Sequence, residues 1–346
     1  MLINPEDIID VCYETLLQRP SDLEGKQYYL SQMRSGQPLR QILKSFLDSL
    51  EFKQIWQKED SSQPSAHGVL VKTNYKDSYL LYPAFDQVQL KDALEGNPFA
   101  LTDFLACMNF LKEQNYLIQE KSSFLDLGAN VGSTSVYALK GEFFERAICI
   151  EASTLNYQFL VLNSQINQLT QSFQLFNYGL ANFNGTGLLT CNPDNCGDFR
   201  IQPTTQIPTK NLFNEENYTQ ELIDFITLDE LMQQNILRPQ DIGFIWIDCQ
   251  GSESLVFSGG EKFFAQVSAP LYVEFWPYGI NRLAGRTAYL DFIEQYSREI
   301  WRLVDGKFQL ISMDFLREFY AQNAETGKYI DILVLPKLGV AKIRLM

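Results

Sequence analysis

Residues Ser123 to Leu139 read SFLDLGANVGSTSVYAL, and a second apolar run, AICIEAS, follows at 147–153 with Glu151 near its end. A buried strand feeds a glycine turn and a helix, and the next strand ends on a carboxylate. That order makes a cradle for a nucleotide cofactor. Gly128 and Gly132 let the backbone turn sharply after Leu127, approach a ligand closely and take positive φ where needed. Asn130 stands between them, and asparagine is the non-glycine residue that best tolerates a left-handed conformation.

Details of the cradle separate two cofactor classes. A dinucleotide site needs G-x-G-x-x-G so that pyrophosphate can rest on a helix N-terminus, and no third glycine stands at that spacing. Asp126 ends the strand beside the turn, where it would repel a pyrophosphate but suits the ammonium and sulfonium charges of S-adenosylmethionine. Glu151 follows Gly132 by 19 residues, about where a carboxylate accepts bonds from both ribose hydroxyls. Ser133, which opens the helix, Ala152, and Gly179, beyond the third strand, complete the expected cofactor contacts.

The chain has 346 residues, room for about two domains, and is 45% apolar with a net charge of -14. That charge opposes a nucleic-acid backbone or an anionic membrane surface. No run approaches the length of a membrane span, and MLINPEDIID lacks the basic start and apolar segment of a signal peptide, so the expectation is a soluble, cytoplasmic protein. Six scattered cysteines fit reduced thiols. Cys191 and Cys196 form a C-x4-C pair with no second close pair, and His67 is far away in a polar segment, so no metal site is expected.

Residues 1–58 read as a small helical module. Ile8, Ile9, Val11, Cys12, Leu16 and Leu17 recur at helical spacing, Arg19 to Asp22 breaks that helix and caps the next, and Pro38 to Trp56 carries a third apolar face. Residues 59–68, rich in serine and polar groups, read as a linker, and 69–346 as the main domain. Its lead-in is a hairpin (Val69 to Thr73 with Ser78 to Tyr82) and a helix from Ala100 to Gln114. From Lys121 strands alternate with helices, predicting an α/β doubly wound sheet. Strands are expected at Phe124–Leu127, Ala147–Ile150, Phe173–Asn177, Phe244–Asp248 and Leu271–Phe275, with two late ones near Trp301 and Tyr329. The interval Gly185 to Asp224 is too long for a simple connection and predicts a substrate-shaping loop.

A second dense motif is IWIDCQGSE at 245–253. An apolar strand ends on Asp248, and in a doubly wound sheet this fourth strand flanks the switch point beside the first, so Asp248 should face the cofactor. Helix capping is the competing role for Asp248, and Glu253 is placed either to stabilise its own helix and loop or to touch substrate. Glu274 lies near the end of the fifth strand with Phe275 and Trp276 at the rim, aromatics that either shape an acceptor pocket or simply pack.

Two resemblances follow from these residues. Tyr13, Leu16, Leu17, Arg19, Pro20, Asp22, Gly25, Tyr28 and Tyr29, then Phe46, Ser49, Glu51 and Phe52, resemble a bacterial domain family of unknown function written Y-x-x-L-L-x-R-x-P-D-x-x-G-x-x-Y-W and F-x-x-S-x-E-F, with Tyr29 where tryptophan is usual. That family is similar to the phycobilisome linker repeat, which implies docking to a protein partner by analogy. From Val69 to Pro336, D-x-G-A-N-x-G, I-E-A, the N-x-x-x-N of Asn163 and Asn167, T-L-D-x-L from Thr227, I-D-x-x-G-x-E and V-E-F-W-P resemble the FkbM methyltransferases. Trp246 replaces the usual lysine and Gln250 a glutamate, which weakens the case for a metal there.

The second resemblance implies a Rossmann-like class I methyltransferase sheet with a small all-helical N-terminal domain. It also implies methyl transfer from S-adenosylmethionine to a hydroxyl of a sugar, glycan or natural product. An alcohol must lose a proton, so a carboxylate is expected as general base, Asp248 first and Glu274 second. Transfer to nitrogen or a carboxylate, and a scaffold without catalysis, are the alternatives.

Overall fold

The computed structural model describes residues 5–17, 19–52, 68–114, 116, 122–203 and 212–337. The expected linker lies outside the described residues except for Gly68, and so does His67. The chain opens with helices α1 (Pro5–Leu17), α2 (Leu23–Arg34) and α3 (Leu39–Asp48). Several positions of the first resemblance have a physical reason. Asp22 caps α2 by accepting the Gly25 N–H at 2.8 Å. Arg19 bonds Glu51 and Asp22 and lies over the Tyr13 ring, 4.8 Å from its centroid. Tyr29 stacks on Phe46 with centroids 4.2 Å apart.

The hairpin pairs β1 (Gly68–Lys72) with β2 (Tyr79–Pro83) antiparallel. Helices α4 (Gln89–Leu94) and α5 (Leu101–Glu113) lead into β3 (Ser123–Leu127), α6 (Ser133–Lys140), β4 (Arg146–Glu151), α7 (Thr154–Ile166) and β5 (Phe173–Asn177). Then come the short strands β6 (Gly179–Leu180), β7 (Gly185–Cys191), β8 (Phe199–Ile201) and β9 (Thr219–Ile226), followed by α8 (Leu228–Gln233). The second half runs β10 (Ile242–Ile247), α9 (Glu253–Ser258), α10 (Glu261–Phe264), β11 (Leu271–Phe275), α11 (Pro277–Arg282) and α12 (Arg286–Tyr296). It closes with β12 (Ser297–Val304), β13 (Lys307–Ile311), α13 (Met313–Asn323) and β14 (Ile330–Pro336).

Eight strands form the main sheet in the order β13-β12-β14-β11-β10-β3-β4-β5. β10, β3, β4, β5 and β11 run parallel, and β14 is inserted antiparallel between β11 and β12. This is a Rossmann-like α/β sheet, with the helical segment at the N-terminus. β3 and β10 lie side by side, so the chain reverses its strand order there and leaves a crevice beyond their carboxyl ends. The apolar core continues without a break from α1 and α3 through the hairpin to α7 and the sheet.

The interval Gly185 to Asp224 differs from expectation. It contributes β7, β8 and most of β9 to a second sheet, ordered β6-β9-β7-β8, rather than a loop alone. Residues 204–211 inside it are outside the described set. The small sheet has its own core of Ala181, Leu189, Cys191, Ile223 and Phe225. Its β7 to β9 pairing joins residues such as Gly185 and Phe225, far apart in sequence and separated by Asn, Pro and Gly, which is why local pattern reads it as irregular.

Asn163 and Asn167 act as a strand edge presented by a helix. Asn163 Oδ1 accepts the Leu81 N–H at 2.6 Å and its Nδ2 donates to Leu81 O at 3.0 Å, while Asn167 does the same with Tyr79 at 3.0 and 2.6 Å. Four helical residues rise about 6 Å and two strand residues about 6.6 Å, so alternate residues of β2 meet successive turns of α7. Asn163 Nδ2 also donates to Val131 O at 2.8 Å, tying the hairpin to the glycine turn. Asn163→Ala leaves the buried Leu81 N–H and two carbonyls unpaired. A loss of about 3 kcal/mol in chemical unfolding is expected, and a loss below about 1 kcal/mol would refute the clamp.

Candidate functional site

The glycine turn has left-handed backbone at alternate positions: Gly128 (φ 83), Asn130 (φ 50) and Gly132 (φ 83). Asn130 therefore behaves as expected, whereas the glycines serve a different neighbour. A Cβ on Gly128 would lie 1.9 Å from the Asp248 carbonyl oxygen, and one on Gly132 would lie 2.4 Å from Leu160 Cδ1. Close approach is to β10 and α7, and ligand access follows from it. The Gly128 and Ala129 N–H groups both donate to Ile150 O at 3.0 Å, which pins the turn to the end of β4.

Buried carboxylates hold the turn from inside. Glu151 Oε2 accepts the Asn130 N–H at 2.7 Å and Oε1 the Ser153 N–H at 2.8 Å. Each oxygen keeps a second lone pair for a ligand. Asp126 accepts from Ser135 Oγ at 2.6 Å. Burial raises the Asp126 pKa to about 7, and the Asp248 and Glu151 charges add to it. Glu151 is also pushed up to about 7 by burial, against the pull of its two backbone donors.

The fourth-strand motif forms a tight turn, with Gln250 (φ 51) and Gly251 (φ 91) both left-handed. Glu253 is fully buried, and its Oε1 accepts the Cys249 N–H at 2.9 Å and the Gly251 N–H at 3.3 Å. It holds the loop, one of the two roles the sequence left open. Asp248 takes no part in capping α9 and accepts from Gln250 Nε2 at 2.7 Å. Burial raises its pKa.

A narrow slot beyond the strand ends is lined by Asp126, Gly128, Asn130, Ser133, Glu151, Ala152, Gly179 and Asp248. Of the expected cofactor contacts only Gly132 does not line it, being turned against Leu160. Glu274 faces an adjoining cleft of about 960 Å³ instead. Slot and cleft share Gln89, Phe99, Gly197, Trp246, Asp248 and Gln250 as a common wall. Asp248 is thus where the two spaces meet.

Sequence reasoning missed most of that wall. β8 alternates across it: Phe199 and Ile201 face the slot, Arg200 the cleft. The Arg200 guanidinium lies 4.5 Å from the Phe213 centroid and 4.7 Å from that of Trp276, paired with Asp198 and with Glu215 at 2.7 Å. Trp276 shapes the cleft, whereas Phe275 is fully buried packing. Asp331 of β14 sits directly opposite Glu274. A carboxylate on a strand facing another was the available signal, hidden because the pairing is antiparallel across an inserted last strand. Cys191 lies 3.9 Å from Glu221 and Cys196 3.6 Å from Asn130. Among the described residues no group of three or more His, Cys, Asp or Glu side chains is arranged to hold a metal.

Asp126 and Glu151 have folded-state pKa values above their ordinary 3.8 and 4.5. Between about pH 4 and about pH 7 the folded chain therefore holds protons that the unfolded chain has released. Their contribution to stability is complete below that window and is lost as pH rises through it. Asp126→Asn should lose less stability than the parent between about pH 5 and about pH 8, by roughly 3 kcal/mol, in unfolding measured at both pH values. Parallel pH profiles for the two proteins would refute it.

Comparison with known proteins gives the family. The model of the methyltransferase FkbM domain matches residues 126–300, just over half of the chain, and that of a domain of unknown function (DUF4214) matches residues 3–56. No curated protein matches the chain. Among solved structures, methyltransferase FkbM from Methylobacillus flagellatus KT is 18% identical with a TM-score of 0.33, and the match covers 55% of this chain and 42% of that one. The O-methyltransferase from Bacillus cereus in complex with SAH is 12% identical, covering 72% and 87% with a TM-score of 0.38. Precorrin-6y C5,15-methyltransferase from Geobacter metallireducens GS-15 is 11% identical, covering 63% and 81% with a TM-score of 0.31. The domain match over Asp126 to Ile300, on the turn and strands described above, places the chain in the FkbM methyltransferase family.

Proposed function

We propose that the slot takes S-adenosylmethionine and that the protein is an O-methyltransferase acting on a hydroxyl of a sugar, glycan or natural product. The observation that carries this reading is the meeting of slot and cleft at Asp248. The residues of the slot fit the cofactor. None of its described lining residues is Lys or Arg, so nothing there neutralises a pyrophosphate, and Asp126, Glu151 and Asp248 suit a cation. Gln89 Oε1 and Asn156 Oδ1 are buried without a partner among the described residues and both side chains line the slot, leaving acceptors for amine or hydroxyl donors.

When bound, the cofactor supplies a methyl group made electrophilic by its sulfonium. Glu151 and Asn130 would hold the nucleoside end and Asp126 the charged end. Asp248 would accept the proton of the acceptor hydroxyl, and its raised pKa makes the ionised group a stronger base. Glu274, which lines the cleft from the neighbouring strand β11, is the second candidate base. Trp246, Phe99 and Gln89 border the junction on both sides, where they would limit the access of water to a bound cofactor.

Calorimetry tests the cofactor directly. A cation favours the ionised carboxylates, so binding should release protons and tighten several-fold from about pH 6 to about pH 8. Absence of binding would remove the reading. For the base, labelled methyl transfer into extracts of the host cell should fall about 10²-fold or more in Asp248→Asn while cofactor affinity stays within a few-fold. Full turnover by that variant would exclude Asp248 from the role.

A further inference from the structure

We infer that the cleft beside the cofactor slot selects hydroxyl-rich acceptors that are neutral or carry an amine, and rejects those that bring a phosphate, sulfate or carboxylate into it. This rests on the proposal that the cleft is the acceptor side of the methyltransferase. Its walls carry Asp103, Asp198, Asp248, Glu274 and Asp331. Arg200 is the only Lys or Arg among the described lining residues, and it is taken by Asp198 and Glu215 and clasped between Phe213 and Trp276. Among the described lining residues, an anion entering the cleft would meet carboxylates and no available cation.

Unused acceptors point the same way. Gln89 is 3% exposed and lines both spaces, and its Oε1 has no partner among the described residues. Glu274 Oε2 is likewise buried and unpartnered, with Asp331 opposite on the neighbouring strand. Two like-charged side chains directly opposite destabilise a sheet, and a buried acceptor left unmade costs about 1–3 kcal/mol. A ligand that donates hydrogen bonds relieves both. A hydroxyl or ammonium group donates, whereas an ionised phosphate or carboxylate offers only acceptors. Burial raises the pKa of Glu274, with Asp248 and Asp331 adding, as expected for carboxyls that lack a cation.

Three matched probes read this without knowledge of the natural acceptor: a methyl hexoside, its amino-sugar analogue and its 6-phosphate, each followed by saturation-transfer NMR on the full chain with S-adenosylhomocysteine present. The amine and neutral probes should bind at least about tenfold more tightly than the phosphate at low salt, and the gap should narrow at high salt. Asp331→Asn, checked for folding by thermal unfolding, should shift the ratio of phosphate-probe to neutral-probe affinity about tenfold toward the phosphate, a ratio that cancels any change common to both probes. Phosphate binding as well as the neutral probe, or silence from all three, would overturn the inference. Repeating the NMR without S-adenosylhomocysteine keeps failure of the cleft preference separate from failure of the cofactor reading, which the calorimetry reports alone.

Discussion

No side chain can sit at position 128. The backbone there is wedged between two strand ends, giving its N–H to Ile150 O on β4 while the Asp248 carbonyl of β10 occupies the space of a Cβ. That contact sets the separation of the first and fourth strands at the switch point, and therefore the width of the slot above them. Glu151 then latches Asn130, and Asn163 reaches from α7 to Val131, so the same turn is fastened to the hairpin as well. The cradle is a joint between four segments, and the ligand space is what remains above it.

Charge follows from this geometry. Strands that end together at a crevice bring their terminal side chains together, and here Asp126, Glu151, Asp248 and Glu274 all lie within one residue of a strand end. Gathered in a buried place with no described Lys or Arg facing the slot, they hold protons more tightly than exposed carboxyls do. Such a site is unfavourable to the empty fold and favourable to a cation, a trade expected where stability is given up for binding. The second sheet supplies the other side of the crevice. β8 alternation sends apolar side chains to the slot and Arg200 to the cleft, so one short strand separates the two chemistries.

Local rules made much of this legible. Strand, glycine turn and helix at 123–139, the carboxylate at 151 and the aspartate at 248 are encoded within short windows, and the sheet places Asp126, Gly128, Asn130, Ser133, Glu151 and Asp248 beside one slot. At Gly132 the sequence reveals that a Cβ is unwelcome, and the fold supplies the atom it would meet, Leu160 Cδ1. The small sheet and Asp331 escaped for a related reason: their partners are distant in the chain, and antiparallel pairing across an inserted strand leaves no periodic trace.

Fold class, the left-handed residue at 130, the acidic strand ends and the family membership that these motifs share are all written in the order of residues along the chain. Those properties depend on backbone sterics and on hydrophobic period, which act over a few residues. Only the folded chain determines that Glu274 lines the cleft rather than the slot, that Arg200 is already spent on Asp198 and Glu215, and that Gln89 carries an acceptor unused among the described residues at the shared wall. Whether a charge or a hydrogen-bond group is free is set by what packs beside it, and packing partners are chosen by the whole chain.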